Sequence, residues 1–134
     1  MLRVCDVMTH RVVSVGTDAT LGNTLTYLAT QHISGAAVVD RKERLVGAIT
    51  WSDIMEAEAE MGDPDARGRL LEKTLVREVM TQPVLTIGPD AELREAAQVM
   101  VHGDVHRLFV EEAGQLVGVI SRRDVNHAFV MGAV

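Results

Sequence analysis

The chain repeats itself. Set against its own sequence at a shift of 72 residues, Val4 meets Val76, Val7-Met8-Thr9 meets Val79-Met80-Thr81, and Val12 meets Val84. The same shift pairs Gly16 with Gly88, Asp18-Ala19 with Asp90-Ala91, and Leu21 with Leu93. One residue drops out near Asp40–Arg44, and a shift of 71 then pairs Leu45-Val46-Gly47 with Leu116-Val117-Gly118, Ile49 with Ile120, and Asp53 with Asp124. Two long units of this kind indicate a pseudo-twofold pair, since a solenoid needs shorter units and more of them.

Each unit reads as β-α-β-β-α. Residues 12–15 and 84–87 are short β-prone runs, and Gly16-Thr17-Asp18 and Gly88-Pro89-Asp90 turn the chain, with Asp18 and Asp90 as expected helix N-caps. Helices are expected at about 19–31, with Leu21, Leu25 and Leu28 on the buried face, and at 91–103, with Leu93, Ala97 and Met100. An apolar strand (36–39 or 108–110), a turn (Asp40–Arg44 or Glu111–Gln115), a glycine-containing strand and a last helix near Ser52 or Arg122 complete the unit. The organisation expected is one repeat over 1–62, a connector over 63–75 and a second repeat over 76–134. Glu56–Asp65 carries five acids and no base and reads as solvated connector; Gly62-Asp63-Pro64 ends the helix before it, and 66–74 add one or two helical turns.

Composition narrows the function. The 134 residues suit one compact domain or two small halves, and 47% hydrophobic content can build a core without metal or disulfide. A net charge of −6 and only four aromatics argue against nucleic-acid binding, which rests on clustered cations and stacking platforms. The sequence shows neither a transmembrane run nor a signal peptide, and the lone Cys5 cannot make an intrachain disulfide, so the expected compartment is the cytoplasm, with no membrane partner.

The repeated phrase carries the chemistry. Gly47-Ala48-Ile49-Thr50-Trp51-Ser52-Asp53 and Gly118-Val119-Ile120-Ser121-Arg122-Arg123-Asp124 each place a hydroxyl three residues before an aspartate at a helix start. Read alone, each is a capping box that satisfies helix N–H groups and needs no ligand. Capping leaves the glycine unexplained: inside a strand it marks close approach to the backbone. The same atoms also suit a nucleotide, with helix N–H groups for a phosphate and a carboxylate for ribose hydroxyls.

The tandem β-α-β-β-α units, the Val-Met-Thr segments and the Gly-x-x-Thr/Ser-x-x-Asp endings resemble the CBS domain pair, or Bateman module, named after cystathionine β-synthase. The resemblance spans residues 4–130. It implies an α/β fold of tandem CBS repeats and regulatory binding of an adenine nucleotide (AMP, ADP or ATP) or an S-adenosyl group, with no metal required and no catalysis. Carried over residue by residue, it implies a first site of Ala48, Thr50, Ser52 and Asp53 with Pro83, Val84, Leu85, His106 and Arg107, where Arg107 meets the anion. It implies a second, poorer site of Ser121, Arg123 and Asp124 with Val12, Val13, Ser34 and Gly35. The family's habit of dimerising through its helices implies a homodimer, for which Ile54, Met55, Phe129, Val130 and Met131 offer apolar residues, and an effector protein of unknown identity. His10, His32, His102 and His127 lack metal-ligand spacing, and Cys5 has no visible base. A purely structural dimerisation module and a nucleotide-hydrolysing enzyme are the rival readings; the sequence shows no Walker loop, paired catalytic carboxylates or hydrolase elbow.

Overall fold

The computed structural model describes residues 1–132; residues 133 and 134, the end of the second sequence repeat, lie outside the described residues. The elements are α1 (Val4–Val7), β1 (Ser14–Gly16), α2 (Leu21–Gln31), β2 (Gly35–Val39), β3 (Leu45–Thr50), α3 (Trp51–Ala59), α4 (Pro64–Lys73), α5 (Val76–Val79), β4 (Thr86–Ile87), α6 (Leu93–Gly103), β5 (Arg107–Glu112), β6 (Gln115–Ser121) and α7 (Arg122–Val130). The fold is α/β, with two three-stranded sheets ordered β1-β2-β3 and β4-β5-β6. In each, the first strand runs parallel to the second across a helical crossover, and the second and third form an antiparallel hairpin. Both hairpins shift register at the same repeat position, between Val38 and Val39 and between Val110 and Glu111.

The chain packs as two units whose boundaries interleave the sequence repeats. Unit 2 is Val13–Val84; unit 1 joins Met1–Val12 to the chain from Leu85 onward. Each segment carrying Val-Met-Thr therefore packs with a sheet that follows or precedes it at a distance in sequence. In unit 2, Ala48 and Thr81 exchange N–H···O bonds of 3.0 and 2.8 Å; in unit 1, Thr9 and Val119 do so at 2.8 and 3.0 Å. Each unit has its own core. That of unit 2 centres on Leu21, Leu28, Val38, Ile49, Ile54 and Val76, and that of unit 1 on Val4, Leu93, Leu108, Val110 and Ile120, all fully buried. Each such side chain contributes about 1.5–3 kcal/mol of transfer free energy.

Several local expectations are corrected. The helix N-cap in unit 2 is Thr20, whose Oγ1 accepts from Asn23 N–H at 3.1 Å; Asp18 lies two residues too early, and its carboxylate is taken by Arg41 and Arg77. In unit 1 the cap position is Glu92, with no side-chain cap bond, and not Asp90. The buried face of α6 is Leu93, Ala96 and Met100, so Ala96 takes the position expected of Ala97; Thr24 is likewise buried on α2, its hydroxyl satisfied by Thr20 C=O at 2.8 Å. The outer strands begin later than expected, at Ser14 and Thr86. Pro64 does follow the end of α3, but it also opens α4 at a position where its missing N–H costs nothing, and α4 runs ten residues with Leu70 5% exposed in the core of unit 2. The stretch read as connector is thus partly core. Ile54, expected to serve a dimer face, is fully buried in its own unit.

Candidate functional site

In unit 2 the hairpin strand β3 delivers Thr50 to the mouth of α3. Thr50 N–H donates to Asp53 Oδ2 at 2.9 Å, and Asp53 N–H donates to Thr50 Oγ1 at 3.2 Å, which closes a capping box. The other carboxylate oxygen, Oδ1, accepts from the Thr81 hydroxyl at 3.3 Å. Trp51 ties the cap to the start of β2: its backbone N–H donates to Ser34 C=O at 2.9 Å and its indole Nε1–H to Ile33 C=O at 3.2 Å. Gly35 and Thr50 are register partners, so Ser34 and Gly35 lie beside this cap, and Ser52 is exposed on the first helical turn.

Unit 1 builds the same box from other side chains. Ser121 N–H donates to Asp124 Oδ2 at 2.9 Å and Asp124 N–H to Ser121 Oγ at 3.1 Å. Arg122 takes the part of Trp51: its N–H donates to His106 C=O at 2.7 Å, and its guanidinium reaches Val105 C=O at 3.4 Å. Arg107 is the register partner of Ser121, and His106, Arg107 and Arg123 are exposed. Within one unit, then, Arg107, Arg122 and Arg123 gather about one box, whereas Ser34, Gly35, Trp51 and Ser52 flank the other without a cation. In both, a nine-residue helix presents its N-terminal N–H groups and partial positive charge, the arrangement that receives anions.

The glycines mark the close approach expected of them. A Cβ on Gly47 would lie 2.8 Å from Met80 Sδ and 3.0 Å from Thr81 C=O; on Gly118 it would lie 2.5 Å from Met8 Sδ and 3.0 Å from Thr9 C=O. The close approach is made by the chain's own Val-Met-Thr segments. The remaining expected residues divide between the units. Ala48 uses its backbone on Thr81; Pro83 is exposed and Val84 half-buried, both at the end of unit 2. Val13 packs on the unit 2 core, Val12 ends the leading segment of unit 1, and Leu85, 44% exposed, packs against Gly103 in unit 1. The residue that sequence reasoning missed is Thr81, the second ligand of the Asp53 carboxylate; the repeated Val-Met-Thr was the signal that could have found it. Among the described residues no cluster of three or more His, Cys, Asp or Glu could hold a metal ion, and no helix is long and apolar enough to cross a membrane.

Two β-α-β-β-α units with a capped helix at the same place in each define a tandem α/β module. The chain belongs to the CBS domain family, whose profile matches residues 4–60 and 76–130. It is similar to the CBS domain of a CBS domain containing membrane protein from Sphaerobacter thermophilus (30% identity, 94% of this chain and 86% of that one, TM-score 0.79). It is similar also to CBSX2 from Arabidopsis thaliana, solved in complex with AMP (26% identity, 98% of each chain, TM-score 0.79). Among curated proteins it is 34% identical over 122 residues to an inosine-5'-monophosphate dehydrogenase of Methanocaldococcus jannaschii, covering 90% of this chain and 22% of the enzyme. The chain spans from 22% to 57% of the length of the first such relatives.

Proposed function

We propose that the chain is a regulatory module that binds an adenine nucleotide and performs no catalysis of its own. The observation that carries this is the pair of hydroxyl–carboxylate boxes at matching helix mouths. An ionised carboxylate offers about four acceptor positions, and the box with Thr81 engages only two of those on Asp53, so ribose hydroxyls can still be received. The AMP held by CBSX2, a CBS pair of the same extent, supports the ligand class. The contact set proposed is the one read from the sequence: Ala48, Thr50, Ser52, Asp53, Pro83, Val84, Leu85, His106 and Arg107 for one ligand, and Val12, Val13, Ser34, Gly35, Ser121, Arg123 and Asp124 for a weaker one. The ligand signals by differential affinity for one conformational or oligomeric state, in the cytoplasm, through an effector protein. A homodimer through the last helices of the units would use Met55, Phe129, Val130 and Met131, which are 61%, 44%, 83% and 68% exposed.

The test is a thermal-shift panel of AMP, ADP, ATP and S-adenosylmethionine on the parent chain and on Asp53→Ala and Asp124→Ala, each measured against its own ligand-free baseline. A specific ligand at a hundred times its Kd stabilises by about 2.7 kcal/mol. The expected result is a shift with at least one adenine ligand that shrinks in one or both variants. Shifts that persist undiminished in both would overturn the box assignment, and no shift with any ligand would leave a structural dimerisation module.

A further inference from the structure

Unit 2 carries a charged groove at the end of β3 opposite its cap. Strand β3 runs from the hairpin turn at Leu45 to the cap at Thr50, and the groove lies at the turn end, away from the cap. It is open, about 590 Å³ in volume, and lined by Asp18, Asp40, Arg41, Lys42, Arg44 and Arg77 among others. Asp18 Oδ2 accepts from Arg41 Nε and Nη2 at 3.2 and 3.0 Å, and Asp18 Oδ1 accepts from Arg77 Nη1. Asp40 accepts from Arg44 Nε at 2.9 Å and from the turn N–H groups of Lys42 and Arg44 at 2.8 and 2.9 Å.

Two carboxylates thus fix three guanidiniums, and Lys42 adds a fourth cation. The lining carries two more positive than negative charges in a chain whose net charge is −6. Each guanidinium has five N–H donors, and these contacts use one or two of them. The side chains of Arg41, Arg44 and Arg77 are 90%, 55% and 54% exposed, so further donors face solvent. Hydrogen bonds from Arg41 to Asp18 and from the Arg44 backbone to Asp40 hold both carboxyls below their ordinary range, so the clamp persists at neutral pH.

The duplication supplies an internal control. Unit 1 closes the equivalent hairpin through Glu111, Glu112, Ala113 and Gly114, without a cation, and Cys5 stands at the repeat position of Arg77. The fold therefore does not require the arginines. We propose that this groove is a second anion site, separate from the caps, that takes a pyrophosphate or longer phosphate chain of a small molecule. Forked guanidiniums match phosphate oxygens, and a short polyphosphate matches both the charge excess and its spread from the hairpin turn to α5.

The probe is inorganic tripolyphosphate, titrated calorimetrically into the whole chain at constant ionic strength. One saturable site is expected, weakened at least ~10-fold in Arg41→Gln/Arg44→Gln and less in Arg41→Lys, which keeps the charge and loses the fork. The charge-matched control Arg69→Gln/Arg94→Gln retains full affinity, and circular dichroism establishes that each variant is folded. Four outcomes overturn the proposal: no saturable heat beyond that of sulfate; an equal loss in the control; loss in Asp53→Ala/Asp124→Ala, which would move the anion to the caps; or a preference for poly-glutamate or single-stranded DNA over tripolyphosphate. Because tripolyphosphate carries neither ribose nor base, its failure is distinct from failure of the adenine-ligand reading.

Discussion

Unit 2 and unit 1 solve the same structural problem with different surfaces. Both set a glycine against a methionine, bond a threonine to the third strand, and close the following helix with a hydroxyl and an aspartate. At the first helical position, Trp51 in one and Arg122 in the other reach back to the carbonyl two residues before the middle strand, at 3.2 and 3.4 Å. An indole N–H and a guanidinium are chemically unlike, yet either satisfies that carbonyl. The hairpin turns differ more: Arg41, Lys42 and Arg44 in unit 2 against Glu111 and Glu112 in unit 1. The frame recurs in both units because its contacts are made by backbone and packed side chains. The exposed turn positions carry opposite charge in the two units.

The strongest test of the shared frame is the glycine. Gly118→Ala and Gly47→Ala each force a Cβ against a methionine sulfur and a backbone carbonyl, and overpacking of this kind costs about 1–3 kcal/mol. Gly118→Ala should cost more, because Met8 is buried in the core and meets the new Cβ at 2.5 Å, whereas Met80 is only half-buried and has room to move. Urea unfolding of the two variants measures this, and equal losses would mean that the units yield equally. Next come the boxes: Thr50→Ala and Ser121→Ala should each lose about 1 kcal/mol, with faster hydrogen exchange at the first-turn amides of α3 or α7 alone. Exchange that quickened in both helices would mean that the two caps are coupled and not independent.

The smallest effect concerns Asp18. Hydrogen bonds from Arg41, then the charges of Arg41 and Arg77, hold its carboxyl below the ordinary 3.8. A depressed folded-state value means that the unfolded chain binds the proton first. The contribution is therefore present above pH ~3.8 and fades as pH falls through the lower folded value. Asp18→Asn should flatten the acid side of the stability profile below that point, read as urea midpoints at pH 7 and pH 3. An unchanged profile would show the clamp to be too solvated to register.

Much of the fold is legible in the amino-acid sequence itself. Recurrence at shifts of 72 and 71 marks the two repeats, apolar runs mark the hairpin strands, and the hydroxyl–aspartate spacing marks both boxes, the last two because they depend on neighbours close in sequence. What escapes depends on distant neighbours. Asp18 has the residue type and place of a helix cap, but Arg41 and Arg77 compete for it, and Thr20 takes the role. Leu70 reads as part of a solvated linker because one buried leucine among charged residues gives little periodicity. Gly47 and Gly118 do mark points of close approach, but local sequence does not reveal that the visitor is Thr81 or Thr9. The division of the expected site residues between two packing units follows from the same long-range pairing.

That pairing also sets an order of assembly. Unit 2 is one uninterrupted stretch, so all its contacts are available once Val84 has been made. Unit 1 is split, and Thr9 cannot meet Val119 until the residues between them have been made. Closing so long a loop adds an entropic penalty, and contacts distant in sequence form late. On a growing chain, Val4 and Met8 therefore have no unit 1 core to enter before the residues that follow Leu85 are made.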